Sequence, residues 1–314
     1  MSRTTVLTAT LCLLALPLCA LVPPASAKVL EVGKGKAYAA PSDAIAAAQD
    51  GDTVRIDAGE YYDCATVTAS HVTIEGTGPD ATAVLTDKVC SGKALLITNG
   101  KDITIRNLTL QRARVPDRNG AGIRAQGGNL TIDHVKFINN ENGILAGDLP
   151  EANILIRDSE FLRNGVCAAA CAHGIYINHV ASLTIERSKF YGTKEGHHIK
   201  SRGHRLVVIG CDIADGPDGT SSYAIEASNG GTVIVRDNHI EKGPKSENHT
   251  GAVVIGLGGV DQPTPEIVVE NNRFTVDGGY SSYLVVNRTA TEAMLKGNVL
   301  LGGAKALDGD GQVK

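Results

Sequence analysis

An all-β fold, a parallel β-solenoid with three strands per coil, is predicted by three observations. A nine-residue segment recurs along the chain, no amphipathic helix separates its copies, and a second short strand precedes each copy. The segment runs from Asp102 to Leu110 and returns with starts at Asn129, Asn153, Ser182, Arg205, Thr232, Glu266 and, more weakly, Glu292. Starts spaced by about 23 to 34 residues, with apolar and polar positions alternating, are the mark of stacked coils. The preceding strands begin at Gly122, Gly143, Gly174, His198, Ala224, Ala252 and Tyr283. Together with a short third strand ending in Phe, Ile or Leu, they predict a single-stranded right-handed parallel β-helix of about eight to ten coils.

Each column of the stack can then be justified, because equivalent residues lie ~4.8 Å apart along the axis. The last inward position reads Leu110, Phe137, Phe161, Phe190, Ile213, Ile240, Phe274 and Leu300, and so takes in all four Phe of the chain. With no Trp and only 4% aromatic residues, the core is a pile of thin layers and not a cluster of large rings. Asn107, His134, Asp158, Arg187, Gly210, Asp237, Asn271 and Gly297 share a corner column. These turn formers suit a left-handed backbone. One step inward, Ser159, Ser188, Cys211, Asn238, Asn272 and Asn298 form a column of small polar residues, expected to be a hydrogen-bonded ladder with Cys211 as a buried member. At the front, Ser42 is expected to cap a helix over residues 43–49 that lids the first coil. The organisation expected is therefore a signal segment (1–27), the β-helix (28–301) and a polar, frayed C-terminal tail (302–314).

Arg3, the apolar run from Leu11 to Val22 and the small residues Ala25, Ser26 and Ala27 read as a cleavable export signal, with Leu18 before Cys19 arguing against lipidation. Loss of Arg3 moves the formal net charge from −4 to about −5, which disfavours a nucleic-acid ligand. No later run is long enough to span a membrane. A monomer exported to the periplasm or the medium is expected. Of the five cysteines that remain, the pairings expected are Cys64 with Cys90, about one coil apart, and Cys167 with Cys171. Cys167, Cys171 and His173 also have a spacing open to metal, although a second ligand pair is missing.

Alternation on the first strand of each coil sends Ile123, Ile144, Ile175, Ile199 and Ile225 inward and their neighbours out. The outward face then carries Arg124, Tyr176, Asn178, His198, Lys200, Arg202, Glu226 and Ser228, with His173, His197 and Tyr223 nearby. Gly122, Gly143 and Gly174 are expected to open a groove on the outside. Cation, phenol, imidazole and carboxylate converging over three coils suit an acidic polysaccharide. β-Elimination on a uronate needs a base for the C5 proton, assigned to Lys200, an acid for the leaving oxygen, assigned to Tyr176 or His198, and a cation for the carboxylate, assigned to Arg202 or Arg124.

The repeat resembles the pectate-lyase-like right-handed parallel β-helix superfamily over nearly all of the mature chain. The stretches His197–Arg202 and Ser222–Gly231 look like those of exported bacterial β-helix proteins. Glu195–Ser201 is similar to the base-bearing strand of family-six polysaccharide lyases. That resemblance implies Lys200 as base and a calcium ion held by Glu195 and Asn178; the Arg acid of that family is replaced by Glu226. A C5-epimerase would use the same parts on both faces of the sugar. A glycoside hydrolase needs two facing carboxyl groups, where this face offers Glu226 alone. A non-catalytic envelope or matrix β-helix, whose polar face is merely solvated, needs no site.

Overall fold

The computed structural model describes residues 1, 2, 4 and 26–314. The expected signal segment, including Cys12 and Cys19, lies outside the described residues except at its ends. From Val29 onward the chain winds through three long parallel sheets of 10, 12 and 10 strands, called here the first, second and third sheets in the order a coil visits them. The register is continuous: Ile123 pairs with Ile144, Ile144 with Ile175, and Ile175 with Ile199. The predicted columns therefore exist as real stacks.

The interior follows from this register. The rings of Phe137, Phe161 and Phe190 stack with centroids 4.5 Å apart and planes within 6°. All eight corner residues from Asn107 to Gly297 have left-handed φ, between 44° and 64°. Without that corner the second strand could not turn into the third within one residue. The small polar column is a ladder in which each backbone N–H donates to the side chain one coil on: Cys211 to Asn238 at 2.8 Å, Asn238 to Asn272 at 3.0 Å and Asn272 to Asn298 at 2.9 Å. These bonds satisfy backbone donors where sheet pairing stops. Burial pushes the free Cys211 thiol up to about 12.

Four expectations are corrected. The helix spans Pro41–Ala47 and begins with Pro at its first turn; Ser42 is not the cap, and its backbone N–H donates to Asp63. Ala44 and Ile45 are buried, so the helix does lid the first coil. Residues after 302 are folded and not frayed, since Ala304–Asp308 pairs with the first sheet and Gly311–Val313 with the second. The glycines at 122 and 143 open no external groove. A Cβ on Gly122 would sit 2.8 Å from the Phe137 ring, and one on Gly143 2.8 Å from Phe161 and 2.4 Å from the Gly174 carbonyl oxygen. Glycine there makes room for the Phe stack. The first strand therefore enters the sheet with two successive residues turned inward, and the outward role passes to the residue before them. By the same bend His198 is fully buried and does not join the outward face.

Both expected disulfides form, Cys64–Cys90 and Cys167–Cys171. The second closes a small antiparallel hairpin, Val166–Cys167 with Cys171–Ala172, which projects from the solenoid. Its cysteines are thus not available to a metal.

Candidate functional site

Because the residue two before each inward Ile faces out, His173, His197 and Tyr223 form a column at the leading edge of the first sheet. Their rings stack, 4.9 Å from His173 to His197 and 5.0 Å from His197 to Tyr223. Backbone bonds fix them: His197 N–H donates to His173 Nδ1 at 3.0 Å, and Tyr223 N–H donates to His197 Nδ1 at 3.2 Å. In the neutral form each ring therefore carries its proton on Nε2. Burial holds both imidazoles below their ordinary range, with Glu226 partly offsetting this for His197.

The next outward column holds Tyr176, Lys200 and Glu226, paired in register across three adjacent coils. Glu226 Oε2 lies 3.0 Å from Lys200 Nζ and 2.8 Å from His197 Nε2. Burial pushes the Glu226 carboxyl up, but the contact with His197 and the charge of Lys200 outweigh it and bring it down to about 2. Lys200 Nζ stands 5.5 Å from the centre of the Tyr176 ring, and the Arg202 guanidinium 5.9 Å from it. His173, Tyr176, His197 and Lys200 line one cavity of about 430 Å³, walled by Ala170 and Cys171 of the disulfide hairpin and by Gly196, Ser222 and Glu247. A depression of similar size near Lys101 and Asp148 holds no such lysine and tyrosine pair.

The other expected site residues are placed differently. Arg124 is on the same outward column but three coils from Lys200, through Leu145 and Tyr176, or ~14 Å at ~4.8 Å per coil. Arg124 and Lys200 are therefore too far apart to meet on one small group. Asn178 lies just past the trailing end of its strand, and Ser228 is buried there. Glu195 precedes the opposite end of the neighbouring strand and accepts the Cys167 N–H. The sheet thus separates the two side chains that the lyase resemblance would place on calcium. Glu226 is occupied by two nitrogen groups, and Glu247 is the single carboxylate on the cavity wall, beside His173, His197 and Lys200. This donor set does not fit a calcium ion. Among the described residues the grouped His and carboxylate ligands are Asp133, His134 and Asp158 at another corner, where Arg157 and Arg187 already pair with the acids.

His198, expected as an acid, is buried between Thr193 Oγ1 at 2.7 Å and Asp215 Oδ1 at 3.0 Å. It cannot reach a sugar. The sequence reading missed what lies beneath the cavity. Asp215 Oδ2 also accepts from Gly243 N–H and from the Ser246 hydroxyl. Lys242, 1% exposed, donates to the Ser222 carbonyl at 2.7 Å, and burial lowers it to about 8. Asp215 therefore ties together the strand of Lys200 and the loop bearing Glu247. Period-two alternation from Ile213 and Ile240 already points Asp215 and Lys242 inward.

Among curated proteins no sequence matches the chain. Solved structures with the same architecture include an alginate lyase from Paenibacillus sp. str. FPU-7, at 15% identity and TM-score 0.54, covering 91% of this chain and 99% of that one. The pectin methylesterase from Aspergillus niger in deglycosylated form aligns at 12% identity and TM-score 0.51, covering 90% of this chain and 91% of the other. At such identities the likeness concerns the fold. The right-handed beta helix region family matches residues 154–313, which include His173, Tyr176, Lys200 and Glu226, and the chain belongs to that family.

Proposed function

We propose that the protein is an exported enzyme that cleaves a uronate-containing polysaccharide by β-elimination. The observation that carries this reading is the pairing of Lys200 and Tyr176 on adjacent coils, facing one cavity, with Arg202 beside them. In its amine form Lys200 takes the C5 proton. The electrons left on C5 form the C4–C5 double bond as the C4–O bond breaks, and the Tyr176 hydroxyl protonates the departing oxygen. Arg202 neutralises the uronate carboxylate, which makes the C5 proton removable. Glu226, itself bound to His197, pairs with Lys200 from behind. The shared fold with an alginate lyase is in keeping with this chemistry. Two disulfides suit an oxidising, extracytoplasmic compartment.

Hydrolysis is less well served, since it needs two facing carboxyl groups and the cavity wall carries Glu247 alone, Glu226 being buried under Lys200. A purely structural rod leaves the convergence of Lys200, Tyr176 and Arg202 without a purpose. The test is to incubate the protein with alginate, polygalacturonate and glycosaminoglycans, with and without calcium, and to follow the ultraviolet absorbance of unsaturated uronate. Signal without calcium is expected from one of them. C5 deuterium exchange without cleavage would move the assignment to epimerase, and no change in any polymer would remove it.

A further inference from the structure

Arg124 and Arg202 differ from the other partly buried arginines. In both, Nε is shut off from water without a hydrogen-bond partner, and among the described residues neither guanidinium has an ion pair. Arg236 shares the unpartnered Nε, but Glu270 lies 3.2 Å from its guanidinium. A buried donor left unsatisfied is costly, so two on one face need a reason. Arg202 has one in the uronate at Lys200. Arg124 does not, because it lies three coils away.

Among the described residues no side chain is paired with Arg124. Its register neighbours are Ile97 on one side and Leu145 on the other, both buried and apolar. Asp117 attracts it only at longer range, while burial lowers its pKa. The loop that carries Asp117 is fixed in place, since Glu141 accepts the N–H groups of Val115 and Gly120 at 3.0 and 2.7 Å. What is missing is an anion from outside, and a planar guanidinium with free N–H edges is suited to a carboxylate.

The geometry points to a second carboxylate subsite at Arg124, which binds a uronate unit of the same chain two or three sugars away from the one at Lys200. This rests on the uronate reading above and deepens it: the substrate is a polyuronate with free carboxylates on separated units, lying along the coils. The repeat of ~4.8 Å per coil is close to the length that one pyranose ring adds to a chain, so a short oligomer cannot reach both sites.

The experiment compares wild type, Arg124→Gln and the exposed control Arg118→Gln on oligomannuronates and oligogalacturonates of two to six units. Cleavage is followed directly, and binding by calorimetry in a Lys200→Ala background, with thermal melts to confirm folding. Arg124→Gln is expected to lose about tenfold in kcat/KM and in affinity for five- and six-unit chains, and to match wild type on two-unit chains. Equal loss at every length, or none at any length, overturns the subsite. If long chains bind in an Arg124-dependent way but are never cleaved, the subsite stands and the lyase assignment fails. If no uronate oligomer binds wild type, both fall.

Discussion

The second and first sheets present their outer faces through the same geometry but use charge in opposite ways. On the second sheet one outward column reads Arg55, Glu75, Arg106, Asp133, Arg157, Glu186, Ile209, Arg236, Glu270 and Lys296 in register. The signs alternate except at Ile209, and neighbours pair: Arg55 with Glu75 at 2.7 Å, Arg106 with Glu75, Asp133 with Arg157 at 2.8 Å, and Arg236 with Glu270 at 3.2 Å. On the first sheet the column reads Ile97, Arg124, Leu145, Tyr176, Lys200, Glu226, Val254 and Val286. There one pair, Lys200 with Glu226, is made, and Arg124 is left between two apolar residues. A solenoid can match every charge with the coil above it. Along most of the second sheet it does so, and at Arg124 on the first it does not.

The largest effect tests that contrast directly. Lys200→Ala and Tyr176→Phe should each lower the formation of unsaturated uronate by about 10²–10⁴-fold, the range for loss of a positioned base or acid. Arg157→Gln, in the paired column, should leave the rate unchanged. A rate loss at Arg157 like that at Lys200 would erase the distinction between the faces.

How far this contrast was legible depends on the periodicity behind each residue. The strand pattern and the turn formers gave the coils, the left-handed corner and the Asn ladder, because each column repeats the same local chemistry. The outward placement of Lys200 and Tyr176 is legible because they follow an inward Ile, where alternation holds. His198 and the glycines were misread because they precede that Ile, where the strand bends as it enters the sheet. No residue type announces that bend. The space occupied by Phe137 and Phe161 decides it, through contacts far apart in sequence. Asp215 opens the turn-forming stretch Asp215–Gly219, and its burial depends on Ser246 and Gly243 one coil later.

Below the first sheet the next prediction concerns stability. Asp215→Ala removes the acceptor shared by His198, Gly243 and Ser246, and should cost about 3–5 kcal/mol in denaturant unfolding. A loss no larger than at Arg157 would show that the buried cluster is not what holds the cavity's walls.

Acid should also act on the first-sheet face selectively. Well above pH 6.5, their ordinary value, His173 and His197 are neutral in both folded and unfolded chains and contribute no pH dependence. As the pH falls below 6.5, the unfolded chain takes up protons that the folded one refuses, so stability is lost. A further loss follows from 4.5 toward about 2 as Glu226 is protonated. Melting temperatures of wild type and of His173→Phe between pH 7 and 5 check this, with the variant expected to fall less steeply.

The smallest effect belongs to the paired column. Arg157→Ala breaks the contact with Asp133, whose side chain is 16% exposed against 43% for Arg157. Half-exposed pairs of this kind contribute about 0–1 kcal/mol, since water screens the attraction and holding two side chains costs entropy. Asp133 keeps His134 as a neighbour, and Glu186 keeps Arg187, so the acids in the column are not stranded. Urea unfolding should therefore show a change below about 1 kcal/mol at low salt that fades at 1 M salt, where the screening length shrinks to about 3 Å. A larger, salt-insensitive loss would mean that alternation of charge is itself structural on the second sheet, and that an unpaired arginine such as Arg124 carries a cost which only a bound carboxylate can remove.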